Sequence, residues 1–423
     1  MQLLLFTLLV LLFCPSSCVL DVFWASYSPS DGILRVQTSL DVLSLGKPRS
    51  SLKTMCYLVD DEPPACGEFD VMVKSEDGGV VKTWISLQTK DGRKGGGPRY
   101  VTGILLDKEE GLVATSQVKR VKGKGMVGVT LVLTLTKSDL DRSNVLFRTL
   151  GKFLGDGVER FLVVAPDEQV EDIKDRVGGS LGGLGVDVVG EGGLFQNYSQ
   201  DWDKYALQMS IKLLVSKIVE TDFYVTLDAD IVVVGGVKGG DFVRGGKGNW
   251  VMEERRVHPD WWVGSGALTG LPVDVNDDTL MGDEKMGIGV TPAVMSTAGA
   301  MMAVGRIKAV AGAGGGDWED DWIGSFGRLW WSEYTTYKLA LDAYGVWDTL
   351  HERFDDVQVT CWNVWWEGDL PWKAEEVFKQ QKVCEEEREG ERDSKRCLFS
   401  VVQSTSGVRW EEIEKQMVDL GVL

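Results

Sequence analysis

At 423 residues the chain can hold two or three domains, each large enough for its own core, which excludes a marginal mini-protein. Its net charge of −19 and pI near 4.7, with no basic stripe, exclude a partner held by its phosphate backbone, so no nucleic acid is expected. The 51 glycines follow no fixed period, which excludes collagen and solenoid repeats.

The first residues, Met1-Gln-Leu-Leu-Leu-Phe-Thr-Leu-Leu-Val-Leu-Leu-Phe13, form an apolar run that ends at Cys14-Pro-Ser-Ser-Cys18. Small residues there suit signal peptidase, so residues 1–18 are expected to be a secretory signal peptide. The run is too short to span a bilayer comfortably and Pro15 interrupts it, so no membrane span is expected after cleavage. The expected location is the lumen of the secretory pathway (ER or Golgi) or the outside of the cell. The sequon Asn197-Tyr-Ser199 fits a glycoprotein of that compartment. In an oxidising lumen, Cys56 with Cys66 and Cys384 with Cys397 are the sequence-local disulfide candidates, which leaves Cys361 free. No Cys/His spacing suggests zinc.

Residues 19–124 carry short β-type runs, such as Val80-Val-Lys-Thr-Trp-Ile-Ser-Leu87 and Gly111-Leu-Val-Ala-Thr-Ser-Gln-Val118, parted by Gly, Pro and charged turns. They predict a β-rich accessory region. The pattern changes in residues 125–423. Val127-Gly-Val-Thr-Leu-Val-Leu-Thr-Leu-Thr136 is a continuous apolar strand suited to burial on both faces. A helix over Ser138–Phe153, a strand over Arg160–Ala165, a helix over Val170–Val177 and a strand over Val186–Val189 continue the series. The next helix, Asp203–Val219, carries Leu207, Ile211, Leu214, Val215 and Ile218 as one stripe, with Gln208 and Lys212 one turn apart beside it. Strands alternating with helices predict an α/β fold with a mostly parallel, Rossmann-type sheet flanked by helices.

That helix feeds Thr221-Asp-Phe-Tyr-Val-Thr-Leu-Asp-Ala-Asp-Ile-Val-Val-Val234, an apolar run that meets Asp228-Ala-Asp230 and then resumes. Strand alternation would put Asp228 and Asp230 on one face. Two adjacent carboxylates repel unless a cation sits between them, and hard oxygen ligands favour Mg²⁺ or Mn²⁺. Ligands of open α/β sheets bind beyond the carboxyl ends of the strands, where this motif falls, and Lys212 is placed to reach a phosphate. A solvated acidic turn and a solvated lysine are the alternatives.

Further motifs stand in order along the chain: Thr136-Lys137-Ser138-Asp139, Leu162-Val-Val-Ala-Pro-Asp-Glu168, Gln208 with Ile211-Lys212-Leu213, Trp261-Trp262-Val-Gly-Ser265, Gly287-Ile-Gly-Val-Thr-Pro292, Trp331-Ser-Glu-Tyr-Thr-Thr-Tyr337 and Ser400-Val-Val-Gln-Ser404. With the D-x-D they make residues Val127 to Gln403 resemble nucleotide-sugar glycosyltransferases of the GT-A type, and within them an uncharacterised glycosyltransferase-like family. The resemblance implies a GT-A-like fold and Mn²⁺- or Mg²⁺-dependent transfer from a nucleoside-diphosphate sugar to a glycan, protein or lipid acceptor. It puts the metal on Asp228 and Asp230 and borders the nucleotide with Thr136, Lys137, Asp167, Gln208 and Lys212. Many such enzymes add a later histidine to the metal, for which His351 is the nearer of two candidates. A catalytic base, needed if the reaction inverts, would be Glu333 first and Asp320 or Asp321 second.

Two other readings stay open. Asp228-Ala-Asp230-Ile-Val232 also resembles the start of haloacid-dehalogenase-like phosphatases, with Asp228 as nucleophile, and later acidic pairs exist at Asp277-Asp278 and Asp355-Asp356. A non-catalytic carbohydrate-binding protein is the other. Twelve of the sixteen tryptophans lie between Trp250 and Trp372, and indole faces both stack on sugars and fill cores. The adjacent pairs Trp261-Trp262, Trp330-Trp331 and Trp365-Trp366 cannot each turn both rings into one core, so some are expected to line an acceptor groove.

Overall fold

The computed structural model describes residues 128–423 with their side chains, apart from 178–180, 182, 272, 276–285, 314, 316, 325–328, 367–371 and 382–394. Before residue 128 it describes the backbone of strands alone, so the expected signal segment and Asp277-Asp278 lie outside the described residues.

The β-rich N-terminal region forms two antiparallel sheets. One holds β1 (Leu20–Ser28), β2 (Ile33–Asp41) and β5 (Val80–Gln88). The other holds β3 (Leu52–Val59), β4 (Ala65–Glu68), β6 (Tyr100–Asp107), β7 (Leu112–Thr115) and β8 (Lys119–Arg120). Cys56 and Cys66 stand directly opposite one another in the register of β3 and β4.

The remainder is built on a six-stranded sheet. Strands β9 (Met126–Thr134), β10 (Val158–Ala165), β12 (Leu184–Gly190) and β13 (Thr221–Leu227) run parallel in the spatial order β12, β10, β9, β13. The short β11 (Ser180–Leu181) and the strand Ala293–Ser296 close the two edges antiparallel. The order is that of a doubly wound sheet. The first three parallel strands advance to one side of β9, and the fourth returns to its other side.

Sequence pattern explains the layering. Along β9, Leu131 and Leu133 point to one face and Val132 to the other, and all three are fully buried. Phe161 and Val163 oppose Leu162 and Val164 on β10 in the same way. Helices α1 (Leu140–Phe153) and α2 (Val170–Val177) cover the first face with Leu146, Leu150 and Ile173. Helices α3 (Lys204–Leu214), α6 (Thr297–Ala311) and α7 (Glu333–Ala343) cover the second with Ile211, Leu214, Met302, Tyr337 and Leu341; α4 (Gly239–Phe242) and α5 (Pro259–Thr269) precede α6 in the chain. Each fully buried Leu or Val is worth about 1.5–3 kcal/mol, so the two cores hold the sheet's carboxyl edge rigidly in place. No helix among the described residues is long and apolar enough to cross a membrane.

The run Thr221–Val234 is two strands, not one. Pairing with Ala293–Ser296 ends at Thr226, and after the turn β14 (Ile231–Val233) joins a different sheet, antiparallel to Arg396–Val401. Asp228-Ala-Asp230 is therefore a corner between two sheets, and strand alternation does not govern where its side chains go.

Candidate active site

The crevice of a doubly wound sheet opens where its strand order reverses, here between the carboxyl ends of β9 and β13. Asp228 stands there. Gln208 Nε2 spans the reversal by donating to Thr134 Oγ1 (3.1 Å), at the end of β9, and to Asp228 Oδ1 (3.4 Å). Asp203 caps α3 by accepting from the Ala206 amide at 2.9 Å, which fixes the helix that presents both Gln208 and Lys212.

Lys212 is only 5% exposed, so it is not the solvated or phosphate-facing lysine of the sequence reading. Its Nζ lies 3.0 Å from Asp228 Oδ1, 3.0 Å from Glu333 Oε1 and 3.3 Å from Tyr334 Oη. Burial alone would depress this ammonium, but the carboxylates of Asp228 and Glu333 outweigh it and hold the group well above its ordinary value. Tyr334 Oη also shares a 2.9 Å hydrogen bond with Thr226 Oγ1, and Tyr224 Oη donates to the Lys212 carbonyl at 2.8 Å.

Glu333 opens α7, where Ser332 Oγ caps the helix by accepting from the Tyr334 amide. At 4% exposure and paired with Lys212, Glu333 faces inward, which corrects its reading as a base open to an acceptor. Its role here is to hold Lys212 against Asp228.

Asp230 lines a small pocket between α1 and the C-terminal segment. Its Oδ1 is buried and has no hydrogen-bond partner. Burial first, and then the charge of Asp228, push this carboxyl up to about 7. A divalent ion would relieve both penalties, and Mg²⁺-type sites commonly use only one or two carboxylates and complete their shell with phosphate oxygens and water. Among the described residues no third His, Cys, Asp or Glu joins the pair.

The other expected residues divide. Thr136, Lys137 and Asp167 do lie just past the carboxyl ends of β9 and β10, but each has a local partner. Thr136 Oγ1 donates to Asp139 Oδ2 at 2.6 Å, and Lys137 forms an ion pair with Asp172 on α2. Asp167 accepts from the Gly192 amide at 3.3 Å, and a Cβ at Gly190 or Gly192 would meet its carboxylate at 1.9 or 2.2 Å. Those two glycines were not singled out from the sequence, although the close Gly190-Glu-Gly-Gly193 spacing carried the signal.

His351 is not brought to the turn. Its Nε2 shares a 2.6 Å hydrogen bond with Tyr337 Oη, and its Nδ1 faces the Gly248 carbonyl at 3.2 Å. Burial pushes its imidazole down to about 3. It packs on Phe223, five residues before Asp228 and so roughly 16 Å away along the strand. Asp320 Oδ1 accepts from the Trp202 indole at 2.9 Å, and the Asp321 amide donates to the Asp317 carbonyl at 2.9 Å. Arg142 and Tyr334 were missed from the sequence, because only tertiary packing brings them to the turn.

Cys397 bonds to Cys361, not to Cys384. The parallel pairing of Val357–Thr360 with Arg396–Val401 brings the two Cα atoms within 6.2 Å, while Cys384 lies on the helix Ala374–Arg388. Among the described residues, most tryptophans are core. Trp331 is fully buried while Trp330, beside it, is 71% exposed, so the adjacent pairs do split.

No curated protein matches the sequence. Among solved structures, the chain is similar to the apo form of mouse xyloside xylosyltransferase 1, with 13% identity over 67% of this chain and 100% of that one and a TM-score of 0.34. It is similar to the galactosyltransferase LgtC in complex with donor and acceptor sugar analogs, with 9% identity over 69% of this chain and 95% of that one and a TM-score of 0.37. It is also similar to the apo glycosyltransferase GlyE of Streptococcus pneumoniae TIGR4, with 10% identity over 70% of this chain and 64% of that one and a TM-score of 0.30. The family model that matches residues 125–421 is described as "Family of unknown function (DUF6492)", and the chain belongs to that family.

Proposed function

We propose that this protein is a metal-dependent glycosyltransferase of the secretory lumen that moves a sugar from a nucleoside-diphosphate sugar to a glycan, protein or lipid acceptor. One observation carries the reading: Asp228 and Asp230, the second with an orphaned buried oxygen, sit in the turn after β13 at the topological switch point of a doubly wound sheet. The Cys361–Cys397 bond fits an oxidising compartment.

Asp228 and Asp230 would hold Mg²⁺ or Mn²⁺, whose charge would stabilise the departing diphosphate. The chain's own contribution is positional. Lys212, clamped by Glu333, fixes Asp228, and Gln208 ties that carboxylate to the end of β9. Thr136, Lys137 and Asp167 border the same edge of the sheet as walls for the nucleotide.

The test is a thermal-shift panel of the purified protein against UDP, GDP, CMP and ADP, each with Mn²⁺ or EDTA. A metal-dependent rise with one nucleotide, absent in Asp230→Asn, supports the reading and names the donor class. No rise with any of them sinks it and favours the phosphatase or glycan-binding alternatives.

A further inference from the structure

Helix α3 runs back along the sheet from its carboxyl edge, so each turn toward the helix N-terminus stands farther out of the crevice. Tyr205, Gln208 and Lys212 share one face of that helix, at the spacing i, i+3, i+7. The inner two reach Asp228 Oδ1, Lys212 at 3.0 Å and Gln208 at 3.4 Å. Exposure rises along the stripe, from 5% at Lys212 through a partly buried Gln208 to 51% at Tyr205. Tyr205 is the outermost of the three, one helical turn, roughly 5 Å, beyond a residue that touches the carboxylate.

The two ends of its side chain face different surroundings. Burial first, and then the charge of Glu333, push the phenol up to about 12, with Asp228 adding to the rise and Lys212 opposing it. The hydroxyl end therefore dips toward the charged cluster at the start of α7, while the ring stands half in solvent. Lys137 and Asp167, past the ends of β10 and β9, do not act on it. Lys212, Asp228 and Glu333 already satisfy one another, and among the described residues the Tyr205 hydroxyl has no hydrogen-bond partner and no ring or cation stacks on its face.

An uncharged phenol adds nothing to the binding of phosphate, but it suits a sugar. The C–H surface of a pyranose packs on the electron-rich face of an aromatic ring, and the O–H donates to a sugar hydroxyl. In a nucleoside-diphosphate sugar the transferred ring hangs directly from the diphosphate. With the diphosphate at Asp228, that ring falls within the one-turn step to Tyr205. We propose that Tyr205 binds the transferred sugar of the donor, which stacks on its ring and accepts a hydrogen bond from its hydroxyl. The inference rests on the donor-site reading above and adds to it the residue that recognises the sugar as distinct from the nucleotide.

Calorimetry with Mn²⁺ on wild type, Tyr205→Phe and Tyr205→Ala tests it, because the sugar's share of the affinity is read as the ratio between a nucleotide sugar and its bare nucleoside diphosphate. The probes are UDP against UDP-glucose, UDP-galactose and UDP-xylose, and GDP against GDP-mannose and GDP-fucose. Tyr205→Ala is expected to leave the nucleoside diphosphate within about twofold of wild type and to weaken the preferred nucleotide sugar about fivefold. Tyr205→Phe, which keeps the ring and loses the hydroxyl, should fall between, and it serves as the test if the Ala variant does not fold. p-Nitrophenyl glucoside, galactoside and xyloside, titrated in the presence of Mn²⁺ and the nucleoside diphosphate, form the acceptor arm. A loss confined to that arm, an equal loss for nucleotide sugar and nucleoside diphosphate, or no loss at all overturns the assignment while the donor site stands. If wild type binds none of the nucleotides, the donor-site reading falls and Tyr205 with it.

Discussion

Lys212 Nζ is 3.0 Å from Glu333 Oε1, and both groups are about 95% buried. The pair ties the start of α7 to α3, and through the second 3.0 Å contact, to Asp228, it sets the corner between the two sheets. Removing one partner of a buried pair leaves an uncompensated charge, which costs about 3–5 kcal/mol. Lys212→Met leaves two carboxylates facing one another and should lose about that much in urea unfolding. Glu333→Gln keeps a hydrogen-bond acceptor for Lys212 and should cost about 1–2 kcal/mol. The double variant should be more stable than the sum of the two losses implies, because the singles share one interaction. Strict additivity would mean that the pair is not coupled.

A second prediction concerns how α7 is seated. A Cβ on Gly264 of α5 would lie 1.9 Å from the carbonyl oxygen of Trp330, and backbone there cannot swing aside as a side chain does. Gly264→Ala should cost about 1–3 kcal/mol. Gly193→Ala, where a Cβ meets nothing within 4 Å, is the control and should stay within about 0.5 kcal/mol of wild type. Equal melting temperatures for the two variants would contradict the close approach. A Gly264→Ala protein that folds should also bind Mn²⁺ more weakly, since Glu333 sits three residues beyond Trp330.

Much of the sheet was legible in the sequence because its signals are local. The apolar run of β9, the helix Val170–Val177 and the stripe from Leu207 to Val215 each follow from a single periodicity. The Asp228 corner was legible as a site but not as a geometry. Its bend is set by pairing of Ile231–Val233 with Arg396–Val401, about 170 residues on, and no local pattern announces that partner. Lys212 looked exposed for the same reason, since the residues that bury it arrive with α7. The pairing of Cys361 with Cys397 depends on a parallel strand contact, which sequence proximity to Cys384 concealed.

His351 carries the pH prediction. Burial pushes its folded-state pKa down to about 3, against an ordinary value near 6.5. Between those values the unfolded chain binds a proton that the folded chain does not, so the histidine's contribution is complete above about pH 6.5 and is lost as pH falls. The slope is at most about 1.4 kcal/mol per pH unit for one proton. Glu253 and Asp230, both raised by burial to about 7, act in the opposite sense: their contribution is lost as pH rises toward 7. The informative quantity is therefore the difference in unfolding free energy between wild type and His351→Gln. It should change in favour of wild type from pH 4 to pH 6.5 and be flat from pH 7 to 8. A flat difference throughout would mean that the imidazole takes up its proton alike in the folded and unfolded chain and is not held neutral by burial.

The two aspartates should differ in what they do for stability without metal. Asp228 is paired with Lys212, so Asp228→Asn removes a favourable contact and should lower the metal-free melting temperature. Asp230 has an orphaned oxygen and a carboxyl already pushed up to about 7, so at pH 8 its charge is held against both burial and Asp228. Asp230→Asn removes that charge and should leave the metal-free protein at least as stable as wild type, with a gain of about 1 kcal/mol raising the midpoint by roughly 2–4 °C. With saturating Mn²⁺ the order should reverse, since wild type gains binding free energy and the variant does not. Scanning calorimetry at pH 8 with EDTA and then with Mn²⁺ reads both halves. A metal-free Asp230→Asn protein that melts well below wild type would mark Asp230 as a structural residue and not the ion's ligand.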